Sequence, residues 1–186
     1  MRHQTEFKIR RATPQDGAVV SKLLATSYPI LLKYDYAPTV LARALPSMIE
    51  AQPALLSSGT YYLVELKGRV VAAGGWSWSA PTGGSAVGPR TTGHIRHVVC
   101  DHKITRRGGG RVLMAHIFET ARAAGVTDFE CFSTLTAVPF YVAVGFEEVC
   151  LIDVKLSPGV YFPAVHMRAR LAPLPSQSRA ATPQTA

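Results

Sequence analysis

Residues 104–117, ITRRGGGRVLMAHI, place three consecutive glycines at the start of an apolar run with helical spacing. Glycine in a helix costs about 1 kcal/mol relative to alanine, so a triplet there needs a local reason. A helix start offers free N–H groups and a partial positive charge, and glycine lets the backbone approach a ligand closely. The arginines around the triplet can add forked contacts to phosphate oxygens. The stretch therefore predicts a phosphate site with Arg106, Arg107 and Arg111, against the alternative of a glycine-rich connector beside surface arginines.

Two common nucleotide-binding loops do not fit this stretch. A P-loop would require a lysine followed by Ser or Thr after its last glycine, and no such lysine follows. The dinucleotide fingerprint would require a third glycine at the position of Leu113. The stretch therefore matches neither of these two phosphate-binding motifs.

Composition limits the class of protein. A chain of 186 residues is long enough for one domain with a proper core. Its net charge of +8 is scattered rather than collected in a stripe, which favours a solvated basic surface over nucleic-acid binding. No apolar run reaches the roughly 18 residues of a membrane helix, and the N-terminus lacks the apolar core of a secretory signal. The cysteines, in apolar stretches at positions 100, 131 and 150, predict reduced core thiols and a cytoplasmic protein, and no metal-ligand spacing is present.

Hydrophobic periodicity predicts strands and helices in a mixed order. A first helix begins with Thr13 as N-cap, Pro14 and the capping-box acid Asp16, with Val19, Val20, Leu23 and Leu24 on its apolar face. Strands are expected over 6–12, 60–66, 69–79, 94–100, 128–133, 146–154 and 160–170, and helices over 13–28, 37–49, about 109–125 and 136–145. The second helix is expected to be interrupted near Pro46. Residues 80–93 predict a Gly/Pro-rich loop, and 172–186 predict a disordered tail.

Two motifs resemble the GNAT (GCN5-related) N-acetyltransferases. VVCDHKITRRGGGRVLM is similar to the acetyl-CoA loop of that family, R/Q-x-x-G-x-G/A, with Gly108 and Gly110 on its two glycines. TLTAVPFYVAVGFEEV is similar to a later family motif, which it matches at Phe140, Tyr141, Gly145 and Phe146. The resemblance implies an α+β fold, an α/β/α sandwich whose mixed, mostly antiparallel central sheet carries helices on both faces. It implies one such domain over residues 1–171.

The resemblance also implies where acetyl-CoA binds. The backbone of Val98, Val99 and Cys100 would pair with the pantetheine arm, in a gap between the fourth and fifth strands. The loop from Thr105 to Arg111, including Gly109, would hold the pyrophosphate, with Thr105 at a position usually occupied by Arg or Gln. Thr136 stands where many relatives have Asn near the pantetheine, and Phe140 belongs to the same side of the site.

Acetyl transfer to an amine needs an acid for the leaving thiolate and loss of a proton from the ammonium group. The resemblance assigns the acid role to Tyr141, against the alternative of a core aromatic. His94 falls where several relatives carry a Glu or His base, and a free histidine titrates near pH 6.5. Strand alternation puts His94, Arg96 and Val98 on one face and His97 on the other, so His97 becomes the candidate if a bulge shifts the faces. Arg96 could lower the pKa of His94 or hold an acceptor carboxylate.

The acceptor itself is not identified by the sequence. Tyr28, Tyr34, Tyr36, Trp76 and Trp78 could line its pocket, although core packing is favoured for them. The sequence thus predicts an acetyl-CoA-dependent N-acetyltransferase, monomeric or homodimeric, acting on a small-molecule or protein amine. The alternative is a non-enzymatic basic module that senses CoA or binds nucleic acid.

Overall fold

The computed structural model describes residues 6–80 and 91–172. The predicted tail, apart from Ala172, and most of the predicted Gly/Pro-rich loop lie outside the described residues. Leu171, the last residue of the predicted domain, is buried, and its N–H donates to Thr127 O. None of the helices within these ranges is long and apolar enough to cross a membrane.

The described residues form five α-helices and seven strands. The helices are α1 (Gly17–Leu32), α2 (Pro38–Met48), α3 (Pro53–Leu56), α4 (Gly109–Ala123) and α5 (Val138–Ala143). The strands are β1 (Phe7–Arg11), β2 (Tyr61–Leu66), β3 (Arg69–Ser77), β4 (Thr92–Cys100), β5 (Asp128–Thr134), β6 (Glu147–Ser157) and β7 (Val160–Arg170). Short 3-10 turns precede α1, α4 and α5.

One sheet in the order β1-β2-β3-β4-β5-β7-β6 contains all seven of these strands. Every pairing is antiparallel except that of β4 with β5, which is parallel. One core lies on the side of α4 and α5, around Leu113, Ile117 and Phe129. Two smaller cores lie under α1 to α3, around Leu24 and Leu63 and around Ala44 and Phe162. This arrangement confirms the predicted mixed α+β sandwich.

The predicted capping box is present, but it opens the 3-10 turn Pro14–Asp16, and the α-helix begins after it at Gly17 and extends further than the sequence indicated. The N–H of Thr13 donates to Asp16 at 2.8 Å, and Arg10 makes two further hydrogen bonds to that carboxylate at 2.7 and 2.9 Å. The helix then continues through Pro29 to Leu32, whose side chain is buried. Val19 is 36 % exposed, so its assignment to the apolar face was wrong. Helical geometry here places the buried face on Val20, Leu23, Leu24 and Ser27.

Tertiary packing also allows the second helix to continue past its internal proline, Pro46. The predicted interruption near Pro46 was wrong, because α2 continues to Met48. Ala44 and Met48 on either side of this proline are buried against β7, and that burial offsets the lost backbone hydrogen bond. The predicted hairpin is confirmed, with Lys67 and Gly68 at the turn in left-handed conformations.

Candidate active site

The sheet opens between its two parallel strands. β4 and β5 pair only at Thr92↔Asp128, Gly93↔Phe129 and His94↔Glu130, after which the strands diverge. A cavity of about 860 Å³ occupies the resulting gap. Its walls come from both faces of the sheet: the glycine loop and α5 on one side, and α1, α2, Gln52 and β6 on the other. The opening therefore connects the two faces of the protein at the centre of the sheet.

The glycine triplet forms the start of α4 at one end of this cavity. Gly108 is the N-cap with φ +98°, a conformation that glycine adopts without strain. The first intrahelical hydrogen bond runs from Val112 N–H to Gly108 O, so the preceding N–H groups of the helix have no partner within it. A Cβ on Gly110 would lie 3.1 Å from the Phe140 ring and 3.2 Å from Cys100 Sγ. Glycine thus permits close packing here, and the free N–H groups at this helix start form what we call the glycine cradle.

Most of the residues predicted for this loop line the cavity, and one does not. Thr105, Arg106, Arg111 and the three glycines contribute to its wall. Arg106 has φ +64°, a left-handed turn that brings the chain round to the helix start. Arg107 is exposed and does not line the cavity. Of the arginines around the triplet, Arg106 and Arg111 are therefore the two that line the cavity.

The edge of β4 offers backbone groups to the same gap. Asp101 N–H donates to Val71 O on β3, and Ala72 and Cys100 are opposite each other in that pairing. Because amides alternate along an antiparallel pair, the amides of Cys100 and Val98 point away from β3 and into the gap. The amide of Val99 points to β3, and its side chain lies in the core under α1. Two of the three predicted β4 residues thus present hydrogen-bonding backbone to the cavity.

A β-bulge in β4 changes which side chains share a face. The register with β3 shifts between Ala73 and Gly75, and His97 adopts φ +45°. Val98 consequently packs against the core of α4, whereas Arg96 reaches Gln52 at the start of α3. The expectation that Arg96 and Val98 share a face was therefore wrong, because the extra residue of the bulge reverses the alternation. The hydroxyl of Tyr61 donates to His97 O at 2.9 Å and supports the bulged backbone.

His97 belongs to a three-residue network at the cavity. Arg96 Nη2 donates to Gln52 Oε1 at 3.2 Å, which leaves the Gln52 NH₂ group to face His97 Nε2 at 3.1 Å. A guanidinium has no acceptor, so this direction is fixed, and the neutral His97 ring carries its proton on Nδ1. Burial, with the nearby Arg96 charge, lowers the pKa of His97 to about 4. His97 is therefore uncharged at neutral pH.

His94 lies elsewhere, in the paired part of β4 and not on the cavity wall. It is 8 % exposed, and its Nδ1 is 3.7 Å from Glu130 Oε2. His166 and Arg168 approach the other oxygen of the same carboxylate at 3.7 and 3.3 Å. Burial lowers the pKa of His94, although the Glu130 charge opposes the shift.

Tyr141 reaches the cavity from α5. Its side chain is 5 % exposed, and it lines the gap together with Phe140 and Cys131. Burial, reinforced by the neighbouring Cys131, raises the pKa of Tyr141 well above its usual value. The phenol therefore keeps its proton at neutral pH, with Cys131 as its hydrogen-bonding neighbour.

The other aromatic candidates divide between core and cavity. Trp76 is buried in the core, with Trp78 packed edge-on against it at 5.2 Å. Tyr36 bridges β7 and the end of β5, donating to Pro163 O and accepting from Leu135 N–H. Tyr34 is 84 % exposed, and Tyr28 alone of the five lines the cavity. Thr136 also lines it and donates to Asp35 at 2.6 Å, tying the α1–α2 turn to the cavity rim.

Sequence reasoning missed several cavity residues. Gln52, Cys131 and Lys155 line the gap, but none lies in a motif. Gln52 had one local signal, its position directly before the Pro53 that starts a helix. That signal predicts a helix boundary and carries no information about a contact with β4.

An open sheet with a helix N-terminus and a buried tyrosine at the gap defines an acyltransferase of the CoA-thioester type. A family model described as an acetyltransferase (GNAT) domain matches residues 76–170. The chain therefore belongs to the GNAT acetyltransferases, and acetyl-CoA is the acyl donor of that family. A comparison with curated protein sequences finds no match.

Solved structures show the same fold at low sequence identity. A GCN5-related N-acetyltransferase from Rhodopseudomonas palustris superposes with a TM-score of 0.70 at 20% identity, covering 88% of this chain and 95% of that one. The PaiA N-acetyltransferase from Thermoplasma acidophilum, solved with coenzyme A, gives 0.64 at 11% identity, with 89% and 99% covered. N-acetylglutamate synthase from Neisseria gonorrhoeae, solved with coenzyme A and N-acetyl-glutamate, gives 0.55 at 15% identity, with 91% and 36% covered.

Proposed function

We propose that this protein transfers the acetyl group of acetyl-CoA directly to a primary amine of a small-molecule or protein acceptor. The observation that carries the proposal is the cavity through the sheet, with the glycine cradle at one end and Tyr141 on its wall. A donor bound from the α4 side and an acceptor entering from the α1 side would meet at the point where β4 and β5 diverge. Such proximity is a large part of what an acyltransferase must supply.

The donor side uses mainly backbone groups. The free N–H groups at the start of α4 would receive the pyrophosphate, with Arg106 and Arg111 adding charge. The amides of Val98 and Cys100 would pair with the pantetheine arm as an added strand. One of these N–H groups would also stabilise the oxyanion that develops on the thioester carbonyl.

Tyr141 would protonate the departing thiolate, because it lines the cavity and its hydroxyl carries a proton at neutral pH. The cavity cysteines are poor nucleophiles. Burial raises the pKa of Cys100 to about 11 and that of Cys131 to about 12, so both remain thiols. Their protonation supports direct attack by the amine over an acetyl-cysteine intermediate.

His97 rather than His94 is the histidine that would contact the acceptor, since only His97 lines the cavity. Its Nε2 accepts from Gln52 and its low pKa keeps the ring neutral. A base with so low a pKa is too weak to hold a proton taken from an ammonium group for long. The acceptor would therefore bind as the free amine or lose its proton readily in the site. His94 would affect catalysis only indirectly. It contacts Glu130, and it lies on β4, the strand that also carries Arg96.

The proposal is tested by binding and then by turnover. Acetyl-CoA at a hundredfold excess over its dissociation constant should stabilise the fold by about 2.7 kcal/mol. Gly110→Asp should abolish that gain, because the carboxylate fills the cradle and repels phosphate. CoA release in a screen of primary amines should then identify acceptors. An unmoved melting curve at millimolar acetyl-CoA, together with no CoA release, would refute the proposal.

The non-enzymatic alternative now has little support. Membership of an acetyltransferase family and a tyrosine on the cavity wall favour an enzyme over a CoA sensor. Short duplex DNA in the same melting assay checks the nucleic-acid form of the alternative. Stabilisation by DNA without stabilisation by acetyl-CoA would favour it.

A further inference from the structure

The fully charged side chains that line the cavity are all positive. All twelve acidic residues of the chain lie within the described ranges, and none of them lines the cavity. Its fully charged side chains are Arg96, Arg106, Arg111 and Lys155. An enzyme that binds a cationic amine would ordinarily place a carboxylate near it, so this absence constrains the acceptor.

The four cations divide between the two ends. Arg106 and Arg111 flank the glycine cradle, where the donor phosphates would bind. Arg96 lies on the other face and contacts Gln52 at the start of α3. Lys155 lines the cavity next to Val154, which is opposite Phe162 of the core under α2. The acceptor half thus holds two cations and no anion.

Among the described residues, Arg96 has only neutral hydrogen-bond partners. It donates to Ser77 Oγ at 3.0 Å and to Gln52 Oε1 at 3.2 Å, and Ser79 O lies at the 3.5 Å limit. None of the acidic residues forms an ion pair with it. A half-buried guanidinium is normally compensated by an anion, because partial burial weakens its hydration. The missing counter-charge is therefore expected to come from a ligand.

Apolar side chains form much of the acceptor wall beside these cations. Leu31, Leu32, Met48, Phe132 and Phe162 line the cavity on this side. They suit an apolar substituent and offer nothing to a second ammonium group. A polyamine or lysine-rich peptide would meet like charges without any compensating carboxylate.

We propose that the acceptor is an apolar amino acid or a close analogue, whose carboxylate binds Arg96 while its amine faces the donor. This inference rests on the proposed acetyl transfer and adds the substrate class. A carboxylate matches the planar fork of a guanidinium, and Gln52 holds that fork in place through Oε1. Lys155 would add long-range attraction from the rim, where it is exposed.

The test compares acceptors that differ in charge and hardly in shape. CoA release is measured with L-leucine and L-leucinamide, with L-phenylalanine and L-phenylalaninamide, and with spermidine. The amine of each amide is less basic, so more of it is in the neutral form that attacks the thioester. An enzyme that made no contact with the carboxylate would therefore favour the amide. We expect kcat/KM for each amino acid to exceed that of its amide by about 10-fold or more, mainly through KM, as expected for a charged hydrogen bond.

Variants of Arg96 assign the preference to this residue. Arg96→Gln should raise KM for the amino acids by about 10- to 100-fold and leave KM for the amides nearly unchanged. Arg96→Lys should recover part of the loss, and acetyl-CoA affinity measured by calorimetry should be the same in all three proteins. Lys155→Gln is the matched control for general loss of positive charge and should have a smaller effect, because exposed charges are screened.

The outcomes separate this inference from the proposed function. CoA release that is equal for acids and amides, or fastest with spermidine, would overturn the inference and leave acetyl transfer intact. A preference for amino acids that survives in Arg96→Gln would overturn the role of Arg96. If Arg96→Gln does not fold, the comparison of acids and amides in the wild-type protein decides alone. Failure of acetyl-CoA to bind would instead count against the proposed function itself.

Discussion

Gln52 Nε2 lies 3.1 Å from His97 Nε2, and Arg96 fixes the direction of this hydrogen bond by donating to Gln52 Oε1. The pair joins the start of α3 to the bulge of β4, so an amide from one element sets the tautomer of a histidine on another. The consequence is an Nδ1–H tautomer on the cavity wall, in an imidazole that burial keeps neutral.

Gln52→Glu should raise the pKa of His97 from about 4 toward that of a free histidine. A carboxylate at this distance favours the charged imidazolium, although Arg96 would share its charge. Histidine titration by NMR measures the change. Gln52→Met, which removes the hydrogen bond without adding charge, is the control and should leave the pKa low. Equal values in the two variants would show that burial alone controls His97.

The low pKa of His97 also predicts acid sensitivity of the fold. Between pH 6.5 and about 4 the unfolded chain binds a proton that the folded His97 does not, so stability falls as pH falls through this window. From pH 7 to pH 5 the wild type should lose about 2 kcal/mol more than His97→Gln in the free energy of unfolding. Urea denaturation at the two pH values gives the difference. Parallel losses in both proteins would contradict the burial of a neutral His97.

The two histidines should differ in catalysis. His97→Ala should lower kcat/KM with the best acceptor more than His94→Ala, because only His97 lines the cavity. The rise of kcat/KM between pH 6 and pH 9 should follow the pKa of the acceptor amine, since the pKa of His97 lies below this range. Acceptors of different basicity should shift that rise. A rise that stays near pH 6.5 for every acceptor and disappears in His94→Ala would restore His94 as the base.

Gly108→Ala and Gly125→Ala form a matched pair at the two ends of α4. Both glycines have a left-handed φ, +98° and +92°, and neither has a neighbouring atom that a Cβ would strike. Each substitution should destabilise the protein by about 1 kcal/mol through backbone strain. Only Gly108→Ala should weaken acetyl-CoA binding, because Gly108 lines the cavity and Gly125 does not. Calorimetry and urea denaturation separate the two effects, and equal acetyl-CoA affinities would remove Gly108 from the donor site.

Tyr141→Phe should keep acetyl-CoA affinity and lower turnover by about 10²-fold, the scale of a lost general acid. Tyr34→Phe, at a position 84 % exposed, is the control for loss of a tyrosine hydroxyl and should behave as wild type. Steady-state kinetics with a good acceptor makes the comparison. Wild-type turnover in Tyr141→Phe would leave this tyrosine with a packing role only.

The sequence by itself determined the features whose physics is local. The glycine triplet predicted a helix start with free N–H groups, because helix N-termini expose these groups whatever the rest of the fold does. The Thr13–Asp16 capping interaction and the Lys67–Gly68 turn likewise depend on residues a few positions apart. Family resemblance at two motifs then supplied the fold, which the observed sheet order confirms.

Only the tertiary structure decided which side chains meet at the gap. Period-two alternation placed His94 with Val98, but a bulge at His97 reverses the faces, and no residue pattern in β4 announces it. Gln52 reaches β4 from 45 positions away in sequence, so its role depends on how α3 packs. The sequence left two roles open for Arg96, and its lack of a carboxylate partner emerged only once every acidic residue had a position in space. Which side chains pair and which are buried depends on how remote segments of the chain pack together. The spacing of residues within one segment carries no information about that packing.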